Sequence, residues 1–255
     1  MGAIHLRTIH LAGLAFGAGL PKICVPLTAG DLPGLERELA AAAALPADLF
    51  EWRLDCFQGD PASGLALLRE KARLPLLATL RTKGQGGAAD PSPQKYEAQL
   101  LDLLGQGGFQ LLDIEFSWGR ETVSRLIRAA HEKGVGVIVS HHDFQKTPDA
   151  APMVELLREM KSLGADLPKL AVTPRFPGDV LALMEATLET SETLGPVITM
   201  SMGALGRLSR VSGGLTGSCM TFGAGASASA PGQIPAARLS ELLEEFTPQE
   251  EGERL

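Results

Sequence analysis

The chain has 255 residues, 45% of them hydrophobic, enough for one large core or two small ones and too apolar for disorder as the overall state. Its formal net charge of -7 argues against a nucleic-acid-binding surface, which draws on basic patches, but leaves room for a local basic pocket that takes a small anion. Cys24, Cys56 and Cys219 are odd in number, far apart and without metal-ligand spacing, which argues against a disulfide framework or zinc site and for a reducing compartment.

The first twenty residues interrupt their apolar positions with His5, Arg7 and His10 and lack the continuous apolar core of a signal peptide. No run approaches the length of a membrane span, so a cytoplasmic location with no membrane partner is expected. Residues 5–19 carry short alternating runs and are expected to form a hairpin that closes one end of the fold. Apolar strand candidates then alternate with amphipathic segments: strand 23–27, helix 32–44, strand 48–54, helix 62–73, strand 76–80, helix 96–104, strand 111–116 and helix 122–133. Strand 135–140, helix 153–163, strand 167–172, helix 179–190, strands 197–200 and 215–222, and a closing helix 238–246 follow. Eight strands at this spacing predict a (β/α)8 barrel, as one domain over residues 1–255 with the hairpin across its N-terminal end. The Gly-Ser-Ala patch at 223–231 reads as a loop after the eighth strand, placed where a mobile lid would act.

A barrel carries its catalytic groups at the C-terminal ends of its strands. The second strand puts Glu51, Arg53 and Asp55 on one face, with Trp52 and Leu54 on the other. The third ends in Arg81, the fourth pairs Asp113 with Glu115, and the fifth runs into Ser140, His141, His142 and Asp143. The sixth carries Lys169 within an apolar run, on the same face as Ala171. Arg210 follows the seventh, and Ser229 to Gln233 follow the eighth. An ammonium among apolar neighbours is costly unless it is paired or loses its proton, and a neutral amine is a nucleophile that forms imines with ketones. A stem packed on the sheet with its head in water explains the same residue equally well. The convergence of polar strand ends on one cavity favours chemistry. Glu51, Asp113, Glu115, His142 and Asp143 could supply metal ligands, but Arg53, Arg81, Lys169 and Arg210 beside them disfavour a dication and favour an organic anion. The glycines at 203 and 206 lack a dinucleotide or phosphate-loop pattern.

In order along the chain, Glu51-Trp52-Arg53-Leu54-Asp55, Ser140-His141-His142-Asp143-Phe144, Lys169-Leu170-Ala171-Val172, Thr199-Met200-Ser201-Met202-Gly203 with Ser209-Arg210, and Ser229-Ala230-Pro231-Gly232-Gln233-Ile234-Pro235 resemble type I 3-dehydroquinate dehydratase. The likeness runs from about Leu11 to Pro235. It implies a (β/α)8 barrel, commonly a homodimer, that uses no metal or cofactor and removes water from 3-dehydroquinate to give 3-dehydroshikimate in aromatic biosynthesis. By the same resemblance, Lys169 forms the imine and His142 moves the protons. Arg210, Ser229 and Gln233 hold the substrate carboxylate, while Glu51, Arg53 and Arg81 hold its hydroxyls and ring. Met202 and Phe222 are apolar walls, with Gln85, Asp113 and Glu115 in support. The family usually has glutamate where Gln85 stands and an aromatic residue where His141 stands, so His142 is expected to be less readily protonated here. Two other readings stay open. One is a different imine-forming lyase such as a class I aldolase. The other is a catalytically impaired barrel that binds a quinate- or shikimate-like ligand.

Overall fold

The computed structural model describes residues 7–248. It opens with a hairpin of β1 (Ile9–Leu11) and β2 (Leu14–Phe16), turned through Ala12 and Gly13, both at positive φ. Such two-residue turns match the twist of the flanking strands. His5, expected in this hairpin, lies outside the described residues.

Eight parallel strands follow: β3 (Lys22–Leu27), β4 (Leu49–Arg53), β5 (Leu76–Thr79), β6 (Leu111–Glu115), β7 (Gly136–Asp143), β8 (Leu167–Val172), β9 (Ile198–Ser201) and β10 (Met220–Ala224). From β3 to β9 each hydrogen-bonds to the next, and β10 pairs with β3. The remaining seam, between β9 and β10, closes through a bridge from Val197 to Ser218. Cys219 N–H donates to the Val197 carbonyl at 2.9 Å, and Thr199 N–H donates to Ser218 Oγ at 3.0 Å. The sheet therefore curls into the predicted barrel. A short β11 (Ile234–Pro235) adds to the top of β10.

Helices α1 (Leu32–Ala42), α2 (Pro61–Lys71), α3 (Pro93–Gln106), α4 (Arg120–Glu132), α5 (Ala150–Ser162), α6 (Pro177–Leu194) and α9 (Ala236–Phe246) cover the outside. Their starts are written locally. Asp31, Asp60 and Ser92 accept N–H groups of the first turns of α1, α2 and α3, and proline stands in the first turn of α1, α2, α3 and α6.

Side-chain alternation along the strands builds two cores. Outward residues such as Phe50, Trp52, Leu112, Ile114, Leu170 and Val172 pack under the helices. Inward residues are apolar at the bottom, where Cys24, Leu49, Leu77, Leu111, Ile138, Leu167, Ile198 and Met220 surround the fully buried Phe16 of the hairpin. Ile9, Leu11, Ala12 and Leu14 pack on the same cluster, so the hairpin closes the barrel's N-terminal end. Two residues further along, the inward positions turn polar: Glu51, Thr79, Asp113, Ser140 and Lys169.

Three expectations need correction. Residues 215–219 do not belong to the eighth strand: α7 (Arg207–Val211) and α8 (Gly213–Thr216) precede it, and Gly217, at φ +89, ends α8 before the chain turns into β10. Strand β7 extends to Asp143, so His141 and His142 lie within the ladder, opposite Leu170 and Ala171. Gly223 and Ala224 are strand residues held by β11, which confines the loop to the stretch beyond them.

Candidate active site

The floor of the open end is a buried charge network. Lys169, on β8, places Nζ 3.3 Å from Asp113 Oδ2 of β6 and 4.3 Å from the centre of the Phe222 ring of β10. Its cation is thus paired, and also rests on an aromatic face. Arg81, just past β5, brings Nη2 to 2.8 Å from the same Asp113 oxygen and Nη1 to 3.1 Å from Glu115 Oε1. Ser140 Oγ donates to Asp113 Oδ1 at 2.6 Å and accepts from Arg81 Nη1 at 3.0 Å. Burial alone pushes the Asp113 carboxyl up, but Arg81 and Lys169 outweigh it and hold it below its ordinary value. Glu115 spends its oxygens on Thr82, accepting the backbone N–H at 2.9 Å and Oγ1 at 2.7 Å. This fixes the start of the 3₁₀ turn Lys83–Gln85.

That turn carries Gln85 to His142. Gln85 Oε1 accepts the His142 backbone N–H at 2.6 Å and lies 3.3 Å from its Nδ1. Burial, then the cations Arg81, Lys169, His141 and Arg53, push the His142 imidazole well below its ordinary value, so it is neutral at pH 7. The Asp143 Oδ1 instead accepts the N–H groups of Gln145 and Lys146 and shapes the turn after β7.

The remaining walls come from strand ends and one loop. Glu51 accepts from Thr79 Oγ1 at 2.9 Å. Arg53 donates twice to Asp55, at 2.8 and 2.7 Å, while Asp55 also accepts the N–H groups of Arg81 and Ala88, which ties the β4 and β5 ends together. Arg210, on α7, is buried; among the described residues no carboxylate is within ion-pair distance of it. Its Nη2 donates to the Pro231 carbonyl at 3.0 Å, Nη1 lies 3.9 Å from Met200 Sδ, and Nε has no partner. Burial pushes its pKa down to about 10. Gln233 Oε1 accepts the Ser229 N–H at 2.7 Å, and its Nε2 donates to Ser229 Oγ at 3.0 Å. Gly232, at φ +77, sits so close to Gly203 that a Cβ there would meet its carbonyl oxygen at 2.1 Å.

One cavity gathers most of these groups. Glu51, Arg53, Arg81, Gln85, His142, Lys169, Met202, Arg210, Phe222, Ser229 and Gln233 line it. Asp113 and Glu115 lie beneath, bonded to Arg81 and, for Asp113, to Lys169. Gly86, Phe144, Ala171, Met200, Ala230 and Pro231 line it too but were not singled out as site residues. Period-two alternation from Lys169 and Met202 signals Ala171 and Met200; nothing local signals Gly86. Among the described residues no group of three His, Cys, Asp or Glu could hold a metal ion, and no helix there is long and apolar enough to cross a membrane. The arrangement offers an amine, a neutral imidazole and a guanidinium with no carboxylate partner among the described residues to one small molecule, a set suited to imine chemistry on a keto acid.

A model of the type I 3-dehydroquinase family matches residues 23–249. A 3-dehydroquinate dehydratase from Bacillus licheniformis is 42% identical over 245 residues, covering 93% of this chain and 96% of that one. The solved type I 3-dehydroquinate dehydratase of Clostridium difficile, with covalent modified comenic acid, superposes with a TM-score of 0.90 at 37% identity, over 95% of this chain and 98% of that one. The 3-dehydroquinate dehydratase of Geobacillus kaustophilus gives 0.90 at 33% identity, over 96% and 98%. With agreement over nearly its whole length in both sequence and fold, the chain belongs to the type I 3-dehydroquinase family.

Proposed function

We propose that this chain is a 3-dehydroquinate dehydratase, a hydro-lyase that makes 3-dehydroshikimate through an imine on Lys169. The observation that carries the reading is the presence of Lys169, His142 and Arg210 in one cavity of a chain from this family. In this reading Lys169 Nζ attacks the substrate ketone carbon, and the ketone oxygen leaves as water. The iminium then draws electrons from the neighbouring carbon, whose proton passes to His142. The electron pair of the resulting enamine expels the hydroxyl one carbon further on, and His142 returns its proton to that oxygen, which departs as a second water. Hydrolysis of the conjugated imine consumes one water and restores the amine, so the net loss is one water.

The other groups take binding roles. Arg210, with Ser229 and Gln233 on the loop that Gly232 packs against Gly203, receives the substrate carboxylate; a buried guanidinium without an anion is strongly biased toward one. Glu51, Arg53 and Arg81 hold hydroxyls and ring, while Met202 and Phe222 form apolar walls. Asp113 and Glu115 keep Arg81, Lys169 and the Gln85 turn in place, and Gln85 holds His142. The covalent comenic acid in the Clostridium difficile relative supports a covalent step in such a cavity. The reading includes one barrel domain over the whole chain, assembly as a homodimer, a cytoplasmic setting and no cofactor, in the pathway to chorismate and aromatic amino acids.

Incubation with 3-dehydroquinate should raise the conjugated-enone absorbance, and borohydride in a parallel sample should trap an adduct on Lys169. An enone without a trapped adduct would remove the imine from the mechanism. Neither signal would sink the assignment.

A further inference from the structure

The barrel wall is unladdered at one place. Among the described residues, the backbone bridge that joins the β9 and β10 segments is the one from Val197 to Ser218, at the bottom of their seam. Above it, the N–H groups of β9 alternate between its two neighbours. Met202 N–H donates to the Val172 carbonyl of β8 at 2.8 Å, so those of Thr199 and Ser201 point the other way, across the seam. Both end on side chains: Thr199 N–H on Ser218 Oγ at 3.0 Å, and Ser201 N–H on Ser209 Oγ at 2.8 Å. Two serine hydroxyls stand where the carbonyls of β10 would complete a ladder.

The upper serine belongs to α7, a helix of five residues and too short to hold its own place. Ser209 is buried, and its Oγ also donates to the Gly206 carbonyl at 2.8 Å, which accepts the Ser209 N–H as well, at 3.0 Å. Gly206 brings the two backbones together: a Cβ there would lie 2.1 Å from the Ser201 carbonyl oxygen. The residues of α7 then divide. Val211 packs in the outer core, and Leu208 is half exposed. Arg210 goes inward, with Nη1 3.9 Å from Sδ of Met200, an inner barrel residue, and it lines the cavity that holds Lys169. Arg53, Arg81 and Lys169 reach that cavity from strands or from just past a strand end, whereas Arg210 reaches it from a helix.

We propose that Ser209 is a positioning residue that fastens α7 to β9 across the unladdered seam, so that Arg210 reaches into the cavity over the gap. A complete ladder between β9 and β10 would leave Ser201 N–H no need of the serine and α7 no hold on the wall. The inference rests on the dehydratase reading for the carboxylate that Arg210 receives, but not for what holds the guanidinium in place.

Steady-state kinetics with 3-dehydroquinate test it. Ser209→Ala should raise KM about 10-fold with kcat within about 2-fold, and Gly206→Ala, which forces the same turn off β9 with the serine kept, should do likewise. Added to Arg210→Met, Ser209→Ala should cost nothing further in kcat/KM, because a residue that acts through the arginine then has nothing to position. Ser218→Ala, which breaks the other serine link across the seam, should leave KM unchanged. Phenylglyoxal labelling of Arg210, located by peptide mapping, should run faster in Ser209→Ala than in wild type. An unchanged KM in Ser209→Ala or Gly206→Ala, or an unchanged labelling rate, overturns the proposal. So do losses that multiply in the double variant, or a KM in Ser218→Ala as high as in Ser209→Ala. Labelling needs no substrate, so it still answers if wild type makes no enone, the result that removes the dehydratase reading.

Discussion

Lys169 Nζ lies 3.3 Å from Asp113 Oδ2, an oxygen that Arg81 approaches more closely, at 2.8 Å. The lysine is therefore the weaker-held partner of a shared anion. Lys169→Met should leave Asp113 paired with Arg81 and the fold intact, while turnover falls more than about 10³-fold and borohydride labelling disappears. Retained labelling, located by peptide mapping, would place the imine on another lysine.

Asp113→Asn leaves the buried Arg81 and Lys169 short of an anion. Uncompensated loss of one partner of a buried pair costs about 3–5 kcal/mol, and the surviving Glu115 contact with Arg81 puts the expected value near the lower end. The Asp113 carboxyl is held below its ordinary value of 3.8, so its contribution is full above that pH and is lost as pH falls through the lowered folded value. Urea unfolding across a pH series should show the gap between wild type and variant closing below about pH 4.

His142 sits well below its ordinary value of 6.5, so the free enzyme holds a neutral base throughout the neutral range. The acid limb of kcat/KM should lie below 6.5. His142→Ala should cost about 10²–10⁴-fold in kcat. Because the unfolded chain takes up this proton more readily, the stability linked to His142 is full above 6.5 and declines as pH falls toward the folded value. An acid limb at or above 6.5 would contradict the reading.

Arg210 sets function against stability. Replacing an unpaired buried cation with a hydrophobe of similar length is stabilising by about 1–4 kcal/mol where buried charges have been exchanged in this way. Arg210→Met should therefore raise the melting temperature, or leave it level because the Pro231 bond is lost, while kcat/KM falls by about 10–100-fold. A variant with unchanged kinetics would move the carboxylate site elsewhere.

Gly232→Ala must push the loop off Gly203, and it strains a left-handed backbone as well. Since Gln233 and Ser229 ride on that loop, KM should rise while unfolding of the barrel stays close to wild type. Steady-state kinetics beside thermal melts separate the two effects.

Much of this was legible in the chain. Alternation in Glu51-Trp52-Arg53 fixed which face turned inward, because Trp52 had to go under the helices, and the same logic placed Asp113, Glu115 and Lys169. The start of the eighth strand was not legible from hydrophobicity: residues 215–222 read as one apolar run, and only Gly217 marks the break between α8 and β10. Seam closure through the Ser218 side chain leaves no pattern, since a serine before a strand usually signals a turn. The sharing of Asp113 between Arg81 and Lys169 spans residues 81 to 169, and residue spacing carries no record of such a meeting.

Among the described residues, the hairpin that seats Phe16 plugs the lower end of the barrel, and the cavity that holds Lys169 is lined from the opposite end. Substrate entering there and product leaving there pass the same loop and the same arginine. Product still inside therefore blocks the next substrate, and the two can compete only for an empty site.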